Sequence, residues 1–460
     1  MGIKKIFKVG IVTIVLVLFV DIAFAEIKAN ARKKQLKKIE KNINKEIDLP
    51  DIPAIDDYVR VGLLRSPALK ASFYKWKASF NKITQAFSLP DPMFTFTEYI
   101  DKVETRVGPQ ERAYSIMQKI PLPDKLWIKK DKAFKASEQA YYMFEKKRLD
   151  LIFNIHDAYY EYAYLSKAIA LTEENMKLLQ NFESVAQAKY ATGTAKNQDL
   201  LKVQVELGKL ENELLSLRDL RKPLVSRLNA LLNFPENKEL PWPNESLDII
   251  SVKEEYNVPM DDLANSIKNN NPELLSLSEN IKKHEKEVQL SYRDYFPDLS
   301  IGVKTIDTND ALNPNMLDSG KDPLMIMFSV NVPIWFWRID AKVNEAKASL
   351  ATAKNMQVAK EQELLSRLSL IHYKFRDALR QSGLYKQALI PKAVQTLNAT
   401  RSGYQAGHVD FLSLIDAQRV LLNFELAYYR HTANVYQRYA EVKNLLGEIE
   451  KGPFAVKEDL

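Results

Sequence analysis

The chain has 460 residues, of which 66 are Lys or Arg and 59 are Asp or Glu, and its formal net charge is +7. The first 50 residues hold 11 basic and 5 acidic side chains, so the rest is close to neutral, which argues against nucleic acid as a partner. There is no Cys, which excludes disulfides and thiolate metal sites, and only 13 Gly, which favours long helices over a loop-rich enzyme fold.

The first 25 residues have the pattern of a secretory signal peptide. Three lysines precede an apolar run over 9–20, and Ala23-Phe24-Ala25 supplies a cleavage site before Glu26. The run is far shorter than the ~20 residues that span a bilayer, which favours cleavage over a retained membrane anchor. Residues 26–50 then form a basic N-terminal tail of net charge +4. We interpret it as a solvated tether, with anionic headgroups or cell-wall material as an alternative contact.

The remaining chain is predicted to contain two copies of one unit, residues 52–235 and 257–449. A linker at 236–256, in an equatorial region, separates them, and a tail at 450–460 follows. Tyr190-Ala-Thr-Gly193 matches Tyr404-Gln-Ala-Gly407 at an offset of 214 residues, and further matches on both sides keep the same order. Ordered matches of this kind indicate internal duplication.

Each copy is predicted to contain the same elements. A helix begins at Ser66-Pro67 or Asn271-Pro272, because Pro suits the first helical position. The hydrophobic period then changes to two, which predicts a strand pair joined by a polar loop. The strands are expected at about 93–100, 112–120, 298–306 and 324–333. Heptad patterns predict long helical hairpins over 124–232 and 338–446, which turn at Gly193 and Gly407.

Four strands with an apolar face are not stable alone in water, and a membrane barrel usually needs at least ~8. Three chains would supply twelve strands. The predicted fold class is therefore mainly α with a small β part, a duplicated β-hairpin plus long coiled-coil hairpin. Its four strands per chain would contribute to a twelve-stranded membrane β-barrel shared by three chains. A soluble α+β protein whose own helices cover the sheet is the alternative.

Several short motifs accompany this order of elements. They are Pro67-Ala-Leu, Asn271-Pro-Glu-Leu, Leu89-Pro-Asp-Pro, Pro121-Leu-Pro and the two Tyr-x-x-Gly turns. Together they resemble the TolC family of outer-membrane efflux proteins over about residues 50–449. The resemblance implies a homotrimer with a trimeric twelve-stranded membrane β-barrel in outer-membrane lipid and an α-helical periplasmic tunnel. At the periplasmic end the trimer would dock a periplasmic adaptor (membrane fusion protein) and an inner-membrane pump of RND or ABC type.

The implied function is a passive exit duct of a tripartite efflux or type I secretion system, gated at its periplasmic end. A periplasmic coiled-coil adaptor is the alternative function. Drugs, metal ions and secreted proteins remain open as substrates, and the Leu89-Pro-Asp-Pro and Pro121-Leu-Pro motifs weakly favour metal ions. The five histidines are scattered, without a catalytic or metal-ligating motif. We therefore predict no enzyme activity, no metal site and no cofactor.

The resemblance also implies roles for residues near the two turns. Asp199 and Tyr404 would form a carboxylate–phenol hydrogen bond that holds the gate, and Asp416 would be an acidic constriction residue that favours cations. Ser413 and Val409 depart from the acidic residue and the linking Arg expected at their positions, which puts the strength of the gate in doubt. The implied adaptor-docking tips are Thr192, Gly193, Thr194, Ala406, Gly407 and His408.

Overall fold

The computed structural model describes residues 28–43, 45, 47–193, 196–243, 259–313 and 315–448. The predicted signal peptide, the tail at 450–460 and most of the linker at 236–256 lie outside the described residues. The chain divides into two units. The first unit comprises the described residues within 1–73, 143–274 and 360–460, and the second comprises 74–142 and 275–359.

After a first helix over residues 28–43, the described elements follow the same order in both halves of the chain: two short helices, a strand pair, a long helix, a turn and a returning helix. None of the described helices is both long and apolar enough to cross a bilayer. The elements are α1 (28–43), α2 (Ile55–Arg65), α3 (Pro67–Phe87), β1 (Met93–Thr105), β2 (Gly108–Ile120), α4 (Pro123–Ala191), α5 (Asn197–Leu232), α6 (Met260–Asn270), α7 (Pro272–Arg293), β3 (Leu299–Thr308), β4 (Leu324–Val330), α8 (Phe336–Leu384), α9 (Ile390–Gln405) and α10 (Phe411–Leu446).

The two predicted Pro-initiated helices begin where the sequence indicates. Ser66 Oγ accepts a hydrogen bond from the Leu69 backbone N–H at 3.4 Å. Asn271 Oδ1 accepts from the backbone N–H groups of Glu273 and Leu274, at 2.9 and 3.3 Å. These side chains satisfy backbone donors that the first turn of a helix leaves without partners, so each acts as an N-cap.

The four strands form one antiparallel sheet in the order β1-β2-β3-β4, within the second unit. Phe94 lies opposite Ile116, Ile116 opposite Val303, and Val303 opposite Ile326, and all four side chains are exposed. One face therefore carries an apolar row across every strand. The neighbouring row on the other face is more polar and consists of Thr95, Ser115, Lys304 and Met325. β1 and β4 are the edge strands of this sheet.

The first strand pair is longer than predicted, because β1 and β2 continue through residues 101–111 to a tight turn. Thr105 lies opposite Gly108, and Thr105 Oγ1 donates to the Gly108 carbonyl at 2.6 Å. Gly108 has φ +129°, and a Cβ there would lie 1.7 Å from the Asn309 carbonyl oxygen. The extension is polar, with an ion pair between Lys102 and Glu111, so it lacks the apolar alternation that identifies a strand.

The second long helix is interrupted, although the sequence predicts a continuous one. A π-helical segment, Tyr385–Leu389, separates α8 from α9. Pro391 explains the interruption, since it has no N–H to donate and its ring displaces the preceding turn. In the first copy α4 runs unbroken for 69 residues, and the offset of 214 places Lys177 at the corresponding position.

The basic N-terminal segment is folded, so the solvated-tether interpretation is wrong for residues 28–43. These residues form α1, in which Leu36, Ile39 and Ile43 are 6%, 1% and 0% exposed. Their spacing of three and four places them on one helix face. In the sequence, the high charge obscured this short apolar stripe. The stripe is nevertheless enough to pack the helix within the first unit.

Candidate functional site

The two helical turns use glycine for its backbone conformation. Gly193 has φ +74° and Gly407 has φ +78°, in the left-handed region that glycine adopts without strain. A Cβ added at either position would meet no atom within 4 Å. The same hydrogen bond closes both turns, from the Gly193 N–H to the Tyr190 carbonyl at 3.0 Å and from the Gly407 N–H to the Tyr404 carbonyl at 3.2 Å.

The described tip residues are all exposed and belong to the first unit. They are Thr192, Gly193, Ala406, Gly407 and His408. Thr194 lies outside the described residues. The His408 N–H donates to the Gly403 carbonyl at 2.8 Å, which holds the second turn against the end of α9. Both turns therefore present short, solvent-facing backbone segments, and their role in adaptor docking stays a prediction.

A shared core lies behind the turns and joins the two hairpins. Leu179, Phe182 and Ala186 of α4 are buried in it, together with residues of α5, α9 and α10. Those residues are Val203, Leu210, Tyr404, Phe411, Leu414, Ile415 and Leu422. Lys189 adds a polar link across it, since its Nζ donates to the Tyr404 carbonyl at 3.0 Å and lies 4.1 Å from the centre of that ring. Sequence reasoning missed Lys189, because nothing in a heptad pattern marks it.

The predicted carboxylate–phenol pair is brought together, but its hydrogen bond is not formed within one chain. Tyr404 is 8% exposed, and its hydroxyl has no hydrogen-bond partner among the described residues. Burial raises the pKa of Tyr404, and the nearby Asp199 carboxylate raises it further. The phenol therefore stays protonated at neutral pH and can donate a hydrogen bond to an acceptor that approaches it.

Asp416, the predicted constriction residue, forms an ion pair with Arg419 on the same helix. Both side chains are about half exposed, and Arg419 Nη1 lies 3.9 Å from a Glu206 oxygen of α5. The four charged residues Lys202, Glu206, Asp416 and Arg419 line one groove of 280 Å³ between α5 and α10. The groove thus holds two acidic and two basic groups. Sequence reasoning missed Arg419, although its spacing of three from Asp416 is a recognisable helical pair.

The two departures from the family pattern have local roles in the second turn. Ser413 donates its backbone N–H to Asp410 Oδ1 at 2.9 Å, which makes Asp410 the N-cap of α10, and hydrogen bonds from Ser413 lower the pKa of Asp410. The Val409 N–H donates to the Gly403 carbonyl at 3.3 Å. A Cβ at Gly403 would lie 2.6 Å from Val409 Cγ2, so the valine packs closely on this glycine.

Further from the turns, Arg430 of α10 ties the two hairpins together. Its two terminal nitrogens donate to the two Glu161 oxygens of α4 at 2.8 and 2.9 Å, and the guanidinium lies 4.3 Å from the centre of the Tyr164 ring. Burial alone would raise the pKa of Glu161, but the bonds from Arg430 lower it overall. In the part of the chain that the structure describes, no group of three or more metal-ligating side chains is found.

The chain thus combines two strand pairs, two long helical hairpins and an exposed apolar row on one face of its sheet. Residues 62–233 and 263–448 match the sequence model of the outer membrane efflux protein family, so the chain belongs to that family. It is accordingly an efflux protein of the outer membrane.

Two relatives are named as an export protein and a resistance protein. The chain is 25% identical over 324 residues to Toxin and drug export protein A of Aggregatibacter actinomycetemcomitans, which covers 68% of this chain and 66% of that protein. It is 23% identical over 292 residues to the cobalt-zinc-cadmium resistance protein CzcC of Cupriavidus metallidurans, covering 61% and 65%. The alignments thus span just under two thirds of each relative.

A solved structure shares the fold. The outer membrane protein VceC of Vibrio cholerae superimposes with a TM-score of 0.69 at 16% identity, over 85% of this chain and 96% of that chain. The superposition therefore covers nearly the whole solved chain and most of this one.

Proposed function

We propose that three copies of this chain form a channel-tunnel that serves as the passive exit duct of a tripartite efflux or type I secretion system. The observation that carries this proposal is the sheet, with an exposed apolar row on one face and open edges at β1 and β4. Lipid leaves no water to satisfy strand edges, and four strands are too few to close a barrel. The edges of neighbouring chains would pair, giving twelve strands.

The proposed partners follow from the helical turns. A periplasmic adaptor would grip the exposed tips at Gly193 and Gly407, and a pump of RND or ABC type would supply energy and select the substrate. The role is transport and not catalysis, as the named relatives suggest. The names of those relatives support drugs, toxins or divalent metal ions as cargo. The adaptor alternative finds no support among them.

The proposal is tested by reconstituting the purified protein into planar lipid bilayers. We expect discrete conducting events from a trimer that fractionates with the outer membrane. Recovery in the soluble periplasmic fraction, or as a monomer in mild detergent, would contradict the proposal.

The gate is proposed to depend on Asp199 and Tyr404. Replacing both, Asp199→Ala with Tyr404→Phe, should raise the open probability in planar bilayers, because it removes the acceptor and the donor of a bond that would form in the closed trimer. Tyr190→Phe is the matched control, since Tyr190 holds the corresponding place at the first turn but is 48% exposed. Equal conductance of the double variant and the wild type would remove this pair from the gate.

A further inference from the structure

Helix α1 presents a dense positive charge on its exposed face. Its 16 residues include seven basic side chains and one acidic side chain, Glu40. The exposed basic residues are Lys28, Lys33, Lys34, Lys37, Lys38 and Lys41. Because Leu36, Ile39 and Ile43 point into the protein, the helix is held in place and its lysines form a fixed cationic surface. We call these six lysines the α1 basic face.

The attachment of α1 places the basic face away from the turns. Asp48, just after α1, pairs with Lys238 at 2.5 Å, and the Ile47 carbonyl accepts from Arg65 at 3.5 Å. Arg65 also donates to the Asn233 carbonyl, at the end of α5 that lies opposite the first turn. Since α5 has 36 residues at ~1.5 Å each, this anchor lies roughly 54 Å from the turn. The basic face is therefore separate from the proposed gate and tips.

We infer that the α1 basic face binds peptidoglycan, a hydrophilic polymer whose peptide stems carry many carboxylates. A helix that inserts into a lipid surface needs a free apolar face, and the apolar residues of α1 are already buried in the protein. Copies of the basic face would also repel one another, which disfavours a second copy of this chain as the partner of the face. What remains is attraction to a periplasmic polyanion.

The residue type fits such a polymer better than a discrete ligand. Six of the seven basic residues of α1 are lysines, whose hydrated ammonium groups move on flexible stems. Lysines of this kind suit irregularly spaced carboxylates, whereas a single anionic ligand is usually held by the fixed fork of Arg. Binding through many such contacts should be strong at low salt and should fall steeply as salt screens them.

The test is co-sedimentation of the detergent-purified, full-length protein with isolated peptidoglycan sacculi. The test variant carries Lys33→Gln, Lys34→Gln, Lys37→Gln and Lys38→Gln, and we expect its affinity for sacculi to fall at least about tenfold. The matched control removes four exposed lysines elsewhere, by Lys75→Gln, Lys82→Gln, Lys222→Gln and Lys354→Gln. It should bind as the wild type does. Sacculi with chemically blocked carboxylates should not bind the wild type.

Three outcomes would overturn the inference: wild-type binding by the test variant, an equal loss in the control, or full binding to blocked sacculi. A fourth would assign the face to lipid instead, namely binding to phosphatidylglycerol vesicles, lost in the test variant, without binding to sacculi. Both variants should keep wild-type conductance in planar bilayers. This separates the inference from the proposed duct, because a protein that forms no channel but binds sacculi would contradict only the duct.

Discussion

Asp416 has an opposite charge on its own helix, and this changes the selectivity expected at the constriction. Arg419 pairs with Asp416 and approaches Glu206, while Lys202 lines the same groove. An exposed pair of this kind adds little to stability. It does, however, bring a positive charge within one helical turn of each carboxylate, so three copies would form a balanced ring instead of an acidic one.

We therefore predict that Arg419→Gln makes the channel more selective for cations, severalfold in the ratio of cation to anion permeability. The substitution leaves the Asp416 carboxylate without its balancing charge while keeping a polar side chain of similar length. Reversal potentials across a KCl gradient in planar bilayers measure the ratio. Arg401→Gln, at an exposed position of α9, is the control and should leave it unchanged. Strong cation selectivity in the wild type, unaltered by Arg419→Gln, would contradict the prediction.

Glu425 of α10 gives a stability prediction that depends on pH. Burial, followed by the nearby charge of Glu174, raises the pKa of Glu425 in the folded protein. An acid whose pKa is raised by folding favours the folded state below its unfolded pKa of about 4.3, and this stabilisation is lost as pH rises through the folded pKa. Glu425→Gln should therefore raise the unfolding temperature at pH 8 and change it little at pH 4.

Thermal unfolding of the detergent-solubilised protein, followed by circular dichroism at both pH values, measures this difference. Glu211→Gln, at an exposed position of α5, is the control, and its effect on the unfolding temperature should be the same at both pH values. A rise of the same size at pH 4 and pH 8 for Glu425→Gln would show that removal of the charge is not its cause.

Residues that a local rule governs could be predicted from sequence, and residues that act across helices could not. Gly193 and Gly407 follow from the turn alone, because a left-handed residue ends the helix there. Lys189 and Arg430 join helices whose residues are more than 200 positions apart in the chain. Which surface lysine or arginine meets a given partner depends on how the hairpins pack, and the heptad pattern does not specify this.

At the scale of one element, the second turn allows a direct test of backbone strain. Gly407→Ala should lower the free energy of unfolding by about 1 kcal/mol, because an alanine at φ +78° is strained. Gly383→Ala, inside α8 where an added Cβ has open space, should raise it by up to about 1 kcal/mol. Chemical unfolding in detergent measures both. Equal effects of the two substitutions would contradict the assigned turn conformation.

Long elements with a clear period could be predicted well, and their polar or proline-containing parts could not. Residues 93–100 alternate visibly, whereas the extension of β1 is polar, because strand pairing there depends on hydrogen bonds and an ion pair. Pro391 is plain in the sequence, yet a heptad pattern on both sides of it favoured an unbroken helix over the π-helical segment. In α1 the signal of three buried apolar residues was outweighed by that of eight charged side chains.

At the scale of the whole molecule, the isolated sheet explains why the chain is expected to act as an oligomer. An exposed edge strand is a template for pairing with another chain. Here β1 and β4 both stand at edges, and an apolar row lies on one face. Pairing β1 of one chain with β4 of the next is a heterologous contact, which closes into a ring if the rotation permits. Three such contacts would pair all the β1 and β4 edge strands of three chains.

The absence of native cysteine lets this closure be tested by cross-linking. Thr95→Cys on β1, combined in turn with Met325→Cys, Met327→Cys or Ser329→Cys on β4, should give a disulfide in at least one combination. These positions share one face of the sheet, and paired strands bring such residues within disulfide reach. Non-reducing electrophoresis should show dimers and trimers and nothing larger, because a closed ring of three has no free edge.

Ser115→Cys on β2, which is flanked by β1 and β3 of its own chain, should give no cross-link with the same β4 positions. A ladder beyond the trimer would show open-ended pairing, and a monomer in every combination would show that the edges do not meet.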